Sequence, residues 1–195
     1  MIEGPFADFV RQHIGDLDAL GRRYGDYRIS ASQAYLDELD AKVSTAAPSG
    51  YQVRRAVIKA EQEQWCGWTR PVTLFGTPTT VNIAFGLHCT SSILAGGWPF
   101  SNGGCWTGIF VYIPNSQAER FRKLAEAAGA VSESPDRNAP NWRCWRPWLP
   151  LSATTIETLH ERLTGPDRSA GQTEIVEELR GWLAIFERIE ANAQL

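Results

Sequence analysis

From Gln64 to Ala118, 55 residues, the chain carries a single formally charged side chain, Arg70, and no Asp, Glu or Lys. At the chain-wide charged fraction of 21%, roughly eleven or twelve charges would be expected there. A stretch so poor in charge has little to present to water and belongs in a covered sheet. The hydrophobic period agrees. Thr80 to His88 alternates, with Val81, Ile83, Phe85 and Leu87 on one face and Thr80, Asn82, Ala84, Gly86 and His88 on the other, the period-two signature of a strand with one apolar face. Trp106 to Ile113 places Ile109, Val111 and Ile113 opposite Trp106, Phe110 and Tyr112, as in a central strand covered on both sides. Val72 to Phe75 reads as a shorter strand closed by the turn Gly76-Thr77-Pro78.

The flanks read differently. Phe6, Val10 and Ile14 lie on one helical face, and Ser30-Ala31-Ser32-Gln33 can open a helix through Leu36, Leu39 and Val43 that stops at Ala47-Pro48-Ser49-Gly50. The spacing of Val53, Val57 and Ala60 predicts another helix over Tyr51 to Gln64. Ser116-Gln117-Ala118-Glu119 is a capping box for a helix carrying Phe121, Leu124, Ala125 and Ala128, with Gly129 placed to end it. After a polar linker, Ser132 to Asn141, a fourth strand is expected at Trp142 to Trp145. Thr154 with Glu157 then opens a helix with Ile156, Leu159 and Leu163, and a long final helix carries Ile175, Leu179, Trp182, Phe186 and Ile189. The expected fold class is α/β: a helix, three strands, helix, strand core forming a small mixed sheet flanked by helices, with N-terminal and C-terminal helical extensions. One domain is expected over 1–195, divided into an N-terminal helical extension (1–50), an α/β core (51–150) and C-terminal helices (151–195).

Composition bounds the function classes. A chain of 195 residues with 43% apolar content can bury a core without disulfides or metal. A net charge of −3 and a pI near 5.7 give no overall drive toward nucleic acid or anionic membranes. The start Met1-Ile2-Glu3-Gly4-Pro5 lacks the positive residues and apolar run of a secretory signal, and no window is apolar enough to span a bilayer. A cytoplasmic location with reduced thiols is therefore expected.

The order of elements from Tyr51 to about Trp148, with the short segment Trp142-Arg143-Cys144-Trp145-Arg146-Pro147-Trp148 after the second core helix, resembles the αβββαβ core of the PD-(D/E)XK nuclease superfamily, including its small phage and bacterial members. That resemblance implies an Asp on the second strand and an acid-x-Lys triplet on the third, holding Mg²⁺ and assisting the attacking water. Here the second strand offers Asn82 and His88, and the third Thr107 and Tyr112. None supplies a carboxylate pair. The chain's acid-x-Lys triplet, Asp40-Ala41-Lys42, falls on a predicted N-terminal helix as a solvated face, and Pro135-Asp136 and Pro166-Asp167 fall in turns.

Other constellations are equally thin. Cys66, His88, Cys89, Cys105 and Cys144 are zinc-type donors without the short spacing of a zinc motif, so neither metal nor cofactor is expected. Gly103-Gly104-Cys105-Trp106 is similar to the surroundings of papain-like nucleophiles, but Cys105 leads into a strand and the downstream His160 sits at the edge of an apolar helix face. The eight tryptophans are the positive feature. Trp65 and Trp68 flank the first core turn, Trp98 lies in the Gly-rich stretch Ala95 to Gly104, and Trp142, Trp145 and Trp148 cluster with Arg143 and Arg146. Such rings can simply pack the core, or, where exposed, anchor a protein interface, where Trp and Arg dominate the binding energy, or stack on bases or sugars.

The expected function is a non-catalytic protein-interaction factor, and the resemblance implies a phage or bacterial accessory protein such as a defence inhibitor or immunity protein. Its binding residues are Trp142, Arg143, Trp145, Arg146, Trp148 and Trp98, its partner is another protein, and neither nucleic acid nor membrane is favoured. Two alternatives stand beside it. One is a PD-(D/E)XK-like metal-dependent nuclease with displaced acids, drawing on Asp40, Lys59, Glu61 or Glu63; the other is a sugar- or base-binding domain using the neutral, Gly- and Trp-rich centre.

Overall fold

The computed structural model describes residues 5–58, 63–88, 105–130, 141–147, 161 and 164–193. In chain order these form α1 (Pro5–Thr45), β1 (Gln52–Ile58), β2 (Glu63–Leu74), β3 (Thr77–His88), β4 (Cys105–Tyr112), α2 (Asn115–Ala127), β5 (Asn141–Pro147) and α3 (Arg168–Ala193). The strands make one sheet in the order β1-β2-β3-β4-β5, and every neighbouring pair is antiparallel. The protein is thus α/β with helical flanks, and three strands, a helix and a further strand follow one another as the sequence predicts, but the sheet is antiparallel throughout the described residues and not mixed.

The charge-poor stretch builds the middle of this sheet. Along β2, Cys66, Trp68, Val72 and Leu74 are buried on one face; Val81, Ile83 and Phe85 of β3 and Ile109 and Val111 of β4 continue that face. α1 covers it with Tyr35, Leu36, Leu39 and Val43, α3 with Ile175, Leu179, Trp182, Phe186 and Ile189, and α2 with Phe121 and Ala125, all in one cluster. Each fully buried side chain of this size contributes roughly 1.5–3 kcal/mol by leaving water, which holds the last three turns of α1 on the sheet.

Several polar groups inside this layer are paired. The Trp68 indole N–H donates to the Val43 carbonyl at 2.9 Å, satisfying an acceptor that the end of α1 leaves open. Arg70, the lone charge of the central stretch, donates to Glu190 of α3 at 2.6 Å and to the Tyr51 hydroxyl at 3.3 Å, and its guanidinium stacks 4.8 Å from the Tyr51 ring centre. The Gln172 amide donates to the Tyr35 carbonyl and to Glu38, and the Lys42 ammonium donates to the Ser169 carbonyl and hydroxyl, so α3 is tied to α1 at its first turns.

Several elements differ from the sequence expectation. Tyr51 to Gln64 is not a helix, since Gln52–Ile58 forms the edge strand β1 against β2. Val53 and Val57 are four residues apart, which places them on one side of a helix and equally on one side of a strand, and β-branched Val53, Val57 and Ile58 favour the strand. β2 is also longer than expected. It runs to Leu74 and turns through Phe75 (φ 50°) and Gly76 (φ 76°), a two-residue hairpin with both central residues left-handed, so Thr77 and Pro78 belong to β3. Ser30 lies inside α1, which continues from Pro5 to Thr45 apart from a kink at His13 (φ −114°, ψ 15°). α2 begins at Asn115 behind Pro114 with no side-chain cap, so Ser116 is not a capping residue. Its other end is as expected: Gly129 (φ 85°) lets Ala130 N–H reach the Ala125 carbonyl and its own N–H the Glu126 carbonyl, a Schellman ending. The helix expected from Thr154 to Leu163 lies outside the described residues apart from Glu161.

Candidate interaction surface at the sheet edge

β5 places the Trp/Arg segment at the border of the sheet. Its residues pair only with β4 among the described residues, with Trp142 opposite Val111, Arg143 opposite Phe110, Cys144 opposite Ile109, Trp145 opposite Gly108 and Arg146 opposite Thr107. Among the described residues the other side of the strand is a sheet edge, the kind of backbone surface on which a further strand or chain can pair. Four of the six expected binding residues therefore share one seven-residue edge strand. Trp98 and Trp148 lie outside the described residues.

The sheet face turned away from α1, α2 and α3 has its own chemistry. Register brings Arg54, Gly67, Ala84, Gly108 and Trp145 into one row across all five strands. Beside it runs the row Trp65, Gly86, Trp106 and Pro147, and on the other side Thr69, Asn82, Phe110 and Arg143. Trp106 and Phe110 meet edge to face with ring centres 4.7 Å apart, and the Arg54 guanidinium lies 5.8 Å from the centre of the Trp65 ring. Gly86 is there for a steric reason: a Cβ on it would come within 2.0 Å of Trp106 ring carbons. Three side-chain atoms on this face, Thr69 Oγ1, Asn82 Oδ1 and Trp106 Nε1, are buried without a hydrogen-bond partner. Tyr112, at the far end of β4, is 53% exposed.

The tryptophans sort by position. Trp68 and Trp182 fill the helix-covered core, Trp106 is buried on the opposite face, and Trp65 is half-buried beside it.

The remaining candidates separate in space. Asp40 is half-buried rather than a solvated helix residue, with its Oδ1 buried and without a hydrogen-bond partner. Lys42 of the same triplet turns to Ser169 and Thr173 of α3, so the two do not converge on one point. Glu63 opens β2 opposite Ile58 and His88; Lys59 and Glu61 lie outside the described residues. No group of three His, Cys, Asp or Glu among the described residues is placed to hold a metal ion. Cys66 of β2 and Cys144 of β5 stand three strand spacings apart, roughly 14 Å at ordinary sheet geometry, beyond disulfide reach. Burial, reinforced by the charge of Asp40, pushes the Cys66 thiol up to about 12, against the opposing pull of Arg55; such a thiol is inert at neutral pH. Cys105 begins β4 and not a helix, and Cys89, Asp136 and His160 lie outside the described residues.

Arg54, Thr69 and Asn82 were not singled out from the sequence as candidates for a shared surface. The signal was present in Gln64 to Leu74, where Cys66, Trp68, Val72 and Leu74 alternate with Trp65, Gly67, Thr69, Pro71 and Thr73, a period of two that marks a full strand with a second, semi-polar face. No protein-family model, no curated protein and no solved structure matches the chain.

Proposed function

We propose that the chain is a non-catalytic protein-interaction factor that engages its partner along the β5 edge, with Trp142, Arg143, Trp145 and Arg146 supplying the contact. The observation that carries this reading is the placement of a Trp/Arg-dense segment on an edge strand, whose far side has no neighbour among the described residues. Interfaces draw most of their affinity from a few Trp, Tyr and Arg side chains, and an edge strand adds main-chain hydrogen bonds that fix register. An accessory factor of the inhibitor or immunity kind acts by occupying its partner, which requires a rigid sheet and a side-chain code but no catalytic pair. The test is capture of a single partner by the full-length chain from its host, followed by a binding titration. Trp145→Ala and Arg146→Ala should each weaken binding by about tenfold or more while leaving the circular dichroism spectrum unchanged. A partner that binds both variants as tightly as the native chain overturns the assignment of β5.

A second reading, a sugar- or base-binding domain, is favoured by the unpartnered Thr69 Oγ1, Asn82 Oδ1 and Trp106 Nε1 on an aromatic-bearing face. Uncharged donors and acceptors beside ring faces suit an uncharged polar ligand. Titration with monosaccharides and nucleosides, read by tryptophan fluorescence, should give a saturable shift that Asn82→Ala removes; no shift with any of them rules this reading out.

A further inference from the structure

The N-terminal part of α1 lies apart from the packed body. Every residue from Ile14 to Gly21, two full turns, is exposed, whereas the buried residues of the helix, Tyr35, Leu36, Leu39 and Val43, are confined to its other end. At a rise of 1.5 Å per residue, Leu17 stands about 27 Å along the axis from Tyr35. This part of α1 is not polar all round: Phe9 is 51% exposed, Ile14 64%, Leu17 39% and Leu20 64%. Ile14, Leu17 and Leu20 are spaced as one helical stripe.

A helix in water draws most of its stability from packing such a stripe, and this one also carries Gly15, Gly21 and Gly25, each of which weakens a helix relative to alanine. The chain's own fold does not require the first two of these glycines, because a Cβ on Gly15 or Gly21 would meet nothing within 4 Å. Gly21, four residues after Leu17 and seven after Ile14, falls on the Ile/Leu stripe itself, where a small residue suits the close approach of a second helix.

The charge pattern identifies that helix. Residues 5–20 carry Asp8, Asp16 and Asp18 against Arg11, a net −2; residues 21–30 carry Arg22, Arg23 and Arg28 against Asp26, a net +2. A copy of the same helix laid antiparallel puts each acidic half beside a basic half, whereas parallel pairing sets like charges together. We propose that the chain forms a twofold dimer through antiparallel pairing of this part of α1 with that of a second copy. The pairing is centred between Ala19 and Leu20, so the two Leu20 positions flank the axis, each level with Ala19 of the second copy, and Ile14 is level with Gly25 of the second copy. Asp16, 91% exposed and 3.8 Å from the imidazole Nδ1 of His13, then stands level with the exposed Arg23 of the second copy, on the same flank of the stripe. The bodies sit at opposite ends. With about four large apolar side chains from each copy, the contact falls at the small end of specific interfaces, which corresponds to dissociation in the micromolar range.

This inference stands apart from the β5 reading. Sedimentation velocity on the full-length chain, from about 1 to about 300 μM to bracket that range, should show a concentration-dependent dimer. Leu17→Asp/Leu20→Asp should remain monomeric throughout, with the thermal midpoint of the body unchanged, because neither side chain reaches the core. Asp16→Arg and Arg23→Asp should each weaken the dimer by about tenfold or more, and the double reversal should recover most of the loss, a pattern that mere helix destabilisation does not produce. Trp145→Ala should leave the dimer intact, so failure of one proposal leaves the other standing. A native chain that is monomeric across the range, a dimer that survives Leu17→Asp/Leu20→Asp, or a double reversal no better than the single variants overturns the proposal.

Discussion

The Trp182 indole N–H donates to the Thr107 hydroxyl over 2.9 Å, joining α3 to β4 inside the helix-covered layer, where both side chains are buried. The same hydroxyl reaches Glu178 at 3.4 Å, so Thr107 is both acceptor and donor between sheet and helix. Thr107→Val keeps the shape and removes both functions. The indole N–H then loses its Thr107 acceptor, and removing the partner of a buried donor costs about 1–3 kcal/mol. Urea unfolding followed by circular dichroism should show a lower midpoint with an unchanged slope. A double-mutant cycle with Trp182→Phe should give a coupling of roughly 1 kcal/mol; additive losses would remove this hydrogen bond from the account.

Gly86 and Trp106 set a second, steric constraint on the other face. A methyl group at 86 would overlap the ring atoms of Trp106, which is only 3% exposed and has little room to move. Gly86→Ala should therefore destabilise the protein by about 1–3 kcal/mol, although alanine suits a strand better than glycine in the abstract. Gly76→Ala provides a contrast, because there the open surroundings leave only the left-handed backbone (φ 76°) to oppose the substitution. If Trp106 is the obstacle, Trp106→Leu should relieve part of the Gly86→Ala penalty in the double variant, and no relief would locate the strain elsewhere.

Arg70 and Glu190 form the one ionic link between the central strands and α3 among the described residues, with side chains 25% and 17% exposed. A pair at this depth lies between the surface case, worth about 0–1 kcal/mol, and the buried case, where loss of one partner costs about 3–5 kcal/mol. Glu190→Ala should cost about 1–3 kcal/mol, since Arg70 keeps the Tyr51 hydroxyl and the Tyr51 ring as neighbours. Arg70→Met, which removes the charge and keeps the packing stem, should cost less than Glu190→Ala. The reverse order in chemical denaturation would place the value of Arg70 in its charge.

The middle of the fold was legible because β3 and β4 obey a strict period of two within a charge-free segment, and α3 because Ile175, Leu179, Trp182, Phe186 and Ile189 repeat at helical spacing over a long run; all of these are buried. β1 was not legible, because two valines four residues apart satisfy either period and only pairing with β2 decides between them. Ser30 is a good cap by type, but continuation of α1 on both sides overrides local preference. The Trp/Arg segment is visible in the sequence as a cluster, and the sheet order adds what sequence cannot, that this segment is the last strand of the sheet among the described residues. The row from Arg54 through Gly67, Ala84 and Gly108 to Trp145 spans five strands and more than ninety residues of chain. No local pattern encodes it.

Cys66 offers a test of the interior that depends on pH. Burial first, and the nearby Asp40 charge second, raise the thiol from its ordinary 9.0 to about 12 in the folded protein, so the folded state favours the protonated form more than the unfolded chain does. The stabilisation associated with that proton is fully present below pH 9 and is lost as pH rises from about 9 toward 12, because the unfolded thiol ionises first and draws the equilibrium toward unfolding. Native protein at pH 8 should leave Cys66 unmodified by a thiol reagent for as long as it stays folded, and urea should expose it. Between pH 8 and pH 10.5 the stability of the native chain should fall more steeply than that of Cys66→Ala, whose lower starting stability reflects lost packing and does not depend on pH. Other groups titrate equally in both proteins, so the difference between the two slopes isolates Cys66. Parallel slopes, or prompt labelling of Cys66 in the folded state, would show that water reaches the sulfur and that the Asp40 side of α1 is more open than its packing against β2 implies.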